Sequence, residues 1–314
     1  MVQEKKQLGG FAKRKKADRL FLAAIFWFPI LQFAVMYVGV NINSILLAFQ
    51  KYDSYQSKYV FDGLRNFKEV YRVFSGDSFL LEATKRGMLY YFFSTFVGMP
   101  INLFVAYLLY KKIRGAEFFR TVLFIPSLIS SMAMVIMFQN FFNEGITEVY
   151  IKVFKTDPYE VPRFFTDPKI GTPLMIFYNL WTAVGGGMII YMSSMSRIPV
   201  SVIEYGRLEG ISLIKEFVKV ILPMIYPTIA LFFVTGLPGL FMGSGPLYAF
   251  YGDDALPEMQ TLNYYLFTCI VGENSSFEQY PFASAVGLTT TFIVAPIVLI
   301  ARRVLDRFDP NVEV

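Results

Sequence analysis

The sequence predicts an all-α membrane protein of six transmembrane helices, with both termini on the cytoplasmic side. Three observations carry that prediction. Hydrophobic residues make up 55% of the chain and charged ones 17%, with 34 Phe among 314 residues. A soluble domain carries about 25% charge, so lipid must take the place of water over much of this surface. Second, six apolar stretches are long enough for a hydrocarbon core about 30 Å thick. Third, the basic residues fall on one side of those stretches.

The expected spans are residues 20–41, 88–110, 121–142, 172–195, 223–243 and 282–301. A basic segment precedes the first span, as in a secretion signal, but the apolar core is too long and no small-x-small cleavage site follows. It reads as an uncleaved helix. The amino-terminal tail carries Lys5, Lys6, Lys13, Arg14, Lys15, Lys16 and Arg19. Between the second and third spans stand Lys111, Lys112, Arg114 and Arg120; between the fourth and fifth stand Arg197, Arg207, Lys215 and Lys219; after the sixth come Arg302, Arg303 and Arg307. Eighteen of the 29 Lys and Arg residues therefore share one side with nine acids, and that side is read as cytoplasmic. The domain reading is a basic tail at 1–19, a permeating domain at 20–301 with a cytoplasmic loop at about 197–222, and a cytoplasmic tail at 302–314.

The outer loops differ in character. Residues 46–87 form a long polar loop rich in Tyr and Phe, and residues 143–171 contain Pro158, Pro162 and Pro168. Residues 244–281 carry Asp253, Asp254, Glu258, Glu273 and Glu278 and no base. That acidity fits solvation and topological charge bias, with a docking face for a basic partner as the sharper alternative. The chain has no His and one Cys, Cys269. The usual general base and the commonest metal ligand are therefore missing, no intramolecular disulfide is available, and no metal site is expected.

The most informative segment is 196–227, SRIPVSVIEYGRLEGISLIKEFVKVILPMIYP. Pro199 followed by Ser201 signals a helix start. Val202, Ile203, Leu208, Ile211, Ile214, Phe217 and Val218 recur at helical spacing between Glu204, Arg207, Lys215 and Lys219. Gly210 stands where one helix can end and a second begin. The expectation is two short amphipathic helices bent at a glycine; a hairpin lying passively on the membrane surface is the plainer alternative.

This segment resembles the EAA loop of permeases of binding-protein-dependent ABC importers. That pattern reads E-A-A, three residues, Gly, nine residues, then I-x-L-P. Glu204 stands three residues after Ser201, Gly210 six after Glu204, and Val220-Ile221-Leu222-Pro223 closes the pattern. Tyr205 and Gly206 replace the two alanines, and Glu209 stands in place of the Asp before the glycine. Smaller matches point to the sugar-permease branch, similar to maltose-type and polysaccharide-type subunits. They are Gly63-Leu64-Arg65-Asn66-Phe67, the run from Arg114 to Pro126 (RGAEFFRTVLFIP), Asn179-Leu180-Trp181, Gly245-Pro246 and Phe282-Ala283-Ser284-Ala285.

The resemblance implies a subunit that performs no chemistry and binds no cofactor, with ATP and magnesium held by a partner ATPase. It implies a second homologous permease subunit, a cytoplasmic ATPase dimer and an extracellular solute-binding protein as partners, in a cell membrane and without nucleic acid. The loop from Glu204 to Gly210 would sit in a cleft of the ATPase, with Glu204, Arg207 and Glu209 setting its register and Ile203, Leu208 and Ile211 supplying buried contact. The path for a neutral sugar or oligosaccharide is expected between helices, from Gln139, Asn140, Tyr178, Asn179, Trp181, Thr182 and Tyr191, along a fifth helix interrupted by Pro227, Gly236, Pro238 and Gly239. Asn179 falls on a position that contacts sugar in the similar maltose permease, while Pro238, Gly239 and Met242 are small or apolar where that family offers amides. A non-sugar solute is the alternative: intramembrane carboxylates would favour a polyamine, and buried Arg or Lys a phosphate compound. An intramembrane transferase would need His or paired carboxylates, and a proton-coupled carrier a titratable mid-membrane residue and an internal repeat.

Overall fold

The computed structural model describes residues 21–76, 79–273 and 275–310, apart from the side chain of Arg207. The basic tail and the last four residues lie outside this range. The elements are α1 (Phe21–Leu47), β1 (Gln50–Asp53), β2 (Lys58–Phe61), α2 (Arg65–Ser75), α3 (Phe79–Tyr110), α4 (Ala116–Leu128) and α5 (Ser131–Lys152). After these come α6 (Pro168–Met195), α7 (Val200–Leu208), α8 (Leu213–Met224), α9 (Tyr226–Gly236) and α10 (Gly239–Met242). The last three are α11 (Leu247–Tyr251), α12 (Leu262–Val271) and α13 (Gln279–Arg307).

Among the described residues four helices, α1, α3, α6 and α13, are long and apolar enough to cross a membrane; α4 with α5, and α8 with α9, are bent pairs that raise the number to as many as six. The first bend interrupts the span expected at 121–142; the second falls in the span at 223–243, whose helix the sequence already reads as interrupted from Pro227 on. Between α4 and α5 the axis turns by 105°. Ile129 and Ser130 are extended there, and the Ser130 side chain accepts a hydrogen bond from the Ala133 amide, capping a new helix. Pro126, in the last turn of α4, has no N–H to continue the ladder. Between α8 and α9 the turn is 71°, just before Pro227, which sits in the first turn of α9 where its missing N–H costs nothing.

Helix ends also differ from the expected ones. α3 begins at Phe79, nine residues before the expected start at Met88, because its charged turn is satisfied locally: Lys85 pairs with Glu82 at 2.6 Å and Arg86 donates to the carbonyls of Gln260 and Pro257. α13 runs past Ala301 to Arg307 and carries Arg302 and Arg303 on its last turns.

The chain divides into two compact units. The first combines residues up to Val70 with Phe277–Leu288. In it α1 is apolar on all sides and exposed along nearly its whole length, the surface of a helix that lipid solvates. An antiparallel hairpin pairs β1 with β2, Gln50 opposite Phe61, within what the sequence reads as a polar loop. Asn66 is buried and donates to the carbonyls of Ala48 and Gln50, fixing the chain that enters the hairpin.

The second unit, Tyr71–Ser276 with Thr289–Val314, holds two cores. One gathers Tyr90, Met134, Phe138, Phe165, Tyr178 and Phe250; the other gathers Leu103, Tyr107, Met188, Tyr191, Ile203 and Ile221. Small residues let helices approach closely between them. A Cβ at Gly185 would lie 2.6 Å from the Leu123 carbonyl oxygen, so α4 crosses α6 where only glycine fits.

Candidate functional site

The bent loop forms as the periodicity predicts. α7 covers Val200–Leu208, Glu209 and Gly210 make the turn, and the chain re-enters helix at Leu213. Gly210 has φ +67°, the left-handed region that glycine occupies without the cost a side chain brings. No atom lies within 4 Å of a Cβ built on it, so backbone conformation alone calls for glycine.

The loop's side chains sort into anchors and free surface. Ile203 is buried with Met195, Ile198 and Tyr107, so it holds α7 to the body instead of offering contact outward. Gly206 is also buried, against Ile211. Glu204, Tyr205, Leu208, Glu209 and Gly210 are exposed, Leu208 to 87%, and Ile211 is half-buried. Tyr205 and Leu208 together leave apolar surface exposed at the turn.

The root of the loop carries a feature the sequence reading passed over. Glu216 is the only charged residue in the buried class among the described residues. Its two carboxylate oxygens accept from the Lys111 Nζ at 2.9 Å each, with side-chain exposures of 16% for Lys111 and 6% for Glu216. Lys111 caps the end of α3, where a cation also meets the negative end of the helix dipole. The signal was a lone Glu at the head of a helix otherwise flanked by lysines.

The expected path residues do not all come together. Tyr178 is buried, with Trp181 packed on its cluster, and Phe138 touches the rings of both at 5.0 and 6.2 Å. Gln139 donates to the Phe250 carbonyl, and the Thr182 hydroxyl donates back to the Tyr178 carbonyl. Asn179 is half-buried and Asn140 exposed. Tyr191 stands apart, buried in the other core against Phe232. A concavity of about 560 Å³ opens on Trp181, Phe138, Phe141, Phe142, Phe177 and Met137. Its walls are aromatic and uncharged. Sequence reasoning named only Trp181 among these, because Phe residues in an apolar helix carry no pattern that separates lining from packing. Nearby, burial pushes the Tyr251 hydroxyl up to about 12, and it donates to the Phe165 carbonyl at 2.7 Å.

Several apolar spans, two of them sharply bent, beside a rooted loop with an exposed tip make the architecture of a membrane transport permease. Residues 88–314 match the family described as binding-protein-dependent transport system inner membrane component, and the chain belongs to that family. It is an ABC transporter permease, a multi-pass subunit of the cell membrane that is not itself an enzyme, ATP hydrolysis lying in a separate subunit. The chain is similar to the probable ABC transporter permease protein YesP of Bacillus subtilis, 28% identical over 82% of this chain and 81% of that one. It is similar as well to the arabinooligosaccharides transport system permease protein AraP of Bacillus subtilis, 21% identical over 95% and 91% of the two chains. Its fold matches a crystal structure of a bacterial ABC transporter that imports the acidic polysaccharide alginate, with TM-score 0.74, 17% identity, and 93% and 98% of the chains covered.

Proposed function

We propose that this chain is one of two permease subunits in an ATP-driven, binding-protein-dependent importer of neutral sugars or oligosaccharides. The observation that carries the reading is the loop at 200–210, with Ile203 buried, Gly210 left-handed and Leu208 exposed. Its tip seats in a cleft of a cytoplasmic ATPase. Closure of the ATPase pair, with ATP and magnesium bound there, pushes the tip and rotates the permease between inward-open and outward-open states. Glu204, Arg207 and Glu209 set the register, while Leu208 and Ile211 supply apolar contact. The bias of Lys and Arg toward one side supports a cytoplasmic placement of both termini.

The solute passes beside the Trp181 wall, whose rings offer apolar faces for sugar C–H groups, with Asn179 and Asn140, close in sequence to the lining residues Trp181 and Phe141, as the candidate amides. A wall lined by uncharged side chains suits a neutral solute over a polyamine or a phosphate compound. The names of AraP, an arabinooligosaccharide permease, and of the alginate importer support a saccharide. The test is purification of the chain with its neighbouring subunits and measurement of ATP hydrolysis with the binding protein over a panel of neutral oligosaccharides, polyamines and glycerol phosphates. Stimulation by a neutral oligosaccharide is expected. Stimulation by a charged solute alone would replace the sugar reading, and an absent ATPase would sink the importer reading.

A further inference from the structure

The tip of the loop is exposed, yet a lever works only if its root cannot slip. Both arms of the loop run back to the end of α3. On the first arm Ile203 packs in the core that contains Tyr107. On the second arm three contacts converge within five residues. The Tyr107 hydroxyl donates to the Leu213 carbonyl at 3.2 Å, Lys111 holds both oxygens of Glu216, and the Phe217 ring lies 5.0 Å from Tyr107 and 5.5 Å from Phe104. Tyr107 and Lys111 are four residues apart and therefore share one face of α3.

The two mechanical routes out of this joint differ in stiffness. Along the chain, α8 passes at once into wide π turns at Phe217–Ile221 and then bends by 71° into α9. Across the joint, α3 also contains wide π turns, at Phe93–Gly98, but it continues as one 32-residue span without a sharp break, so the difference between the routes is the bend. A push on the tip that entered α8 alone would dissipate at the bend.

Resting on the permease reading above, we propose that Tyr107, Lys111 and Glu216 are positioning residues of a rigid joint, and that the second arm of the loop and the end of α3 move as one body throughout the transport cycle. The motion delivered at 204–210 then reaches α3 directly. An ion pair suits this role better than apolar packing, because sliding it apart strands a charge in a buried site.

The experiment uses the complete complex, reconstituted with its second permease, ATPase pair and binding protein, and carrying Cys269→Ala. Lys111→Cys with Glu216→Cys removes the pair without stranding a charge. Before cross-linking, solute-stimulated ATP hydrolysis is expected to fall about tenfold while unstimulated hydrolysis is unchanged. Bridging the two thiols with a short bifunctional reagent is expected to restore most of the stimulation, and the charge exchange Lys111→Glu with Glu216→Lys is expected to do so without reagent. Blocked turnover after bridging would overturn the proposal, since the partners would then have to separate in the cycle. An unbridged double variant with wild-type stimulation would overturn it too. The permease reading fails separately, if the wild-type chain brings down no ATPase.

Discussion

The tip of the loop and the aromatic wall differ in where their side chains are held. At the tip Glu204, Tyr205, Leu208 and Glu209 are exposed and only the backbone and Ile203 are fixed. At the wall Phe138 is 7% exposed and meets the rings of Phe142, Phe165, Phe177, Tyr178, Trp181 and Phe250. An exposed surface can be changed at little cost in stability, whereas a change in a packed wall is costly. Stability and coupling should therefore separate by region.

The largest effect is expected at the wall. Phe138→Ala removes a buried ring from six others and should cost about 3–5 kcal/mol. The measurement is thermal unfolding of the detergent-purified chain, and an unchanged midpoint would mean the wall is loosely packed. Next comes Gly185→Ala, whose Cβ would meet the Leu123 backbone; about 1–3 kcal/mol is expected, against almost nothing for Gly186→Ala, where the space is open. Equal effects at the two glycines would disprove the close crossing of α4 and α6.

At the tip, Gly210→Ala meets no atom but must hold a left-handed backbone, at about 1–2 kcal/mol. ATPase co-purification should weaken and the isolated chain should melt a few degrees lower, and Gly210→Asn should be milder because Asn tolerates that conformation. A comparable loss with Asn would point to the added side chain, not the backbone. The smallest effect on stability, within about 0.5 kcal/mol, is expected for Tyr205→Ala, with any loss appearing only as weaker ATPase binding.

The same contrast explains what was legible in the sequence. The loop at 200–210 could be read because its pattern is local: helical spacing, a helix start at Pro199 and a glycine at the bend. The long spans could be read because lipid demands apolar runs. The break at Ile129 was not read, since FIPSLISSMAMVIM stays apolar enough to span a membrane and its Pro126 and Ser130 are residues that membrane helices also tolerate without a break. The early start of α3 was hidden by Glu82, Lys85 and Arg86, which lower the hydropathy of a turn that pairing and carbonyl contacts stabilise. The hairpin at β1 and β2 was hidden in a stretch whose polarity reads as loop. Tyr191 was grouped with Tyr178 and Trp181 because it shares their helix, although 13 residues of helix carry it about 20 Å away. The pairing of Lys111 with Glu216 joins residues 105 apart, and no local pattern reports it.

The central claim, that this exposed tip is where the permease meets its ATPase, is tested most directly by a photo-activated cross-linking residue placed at Leu208 in the assembled complex. The account predicts an adduct with the ATPase subunit. An adduct with lipid alone, from a complex that still contains the ATPase, would contradict it.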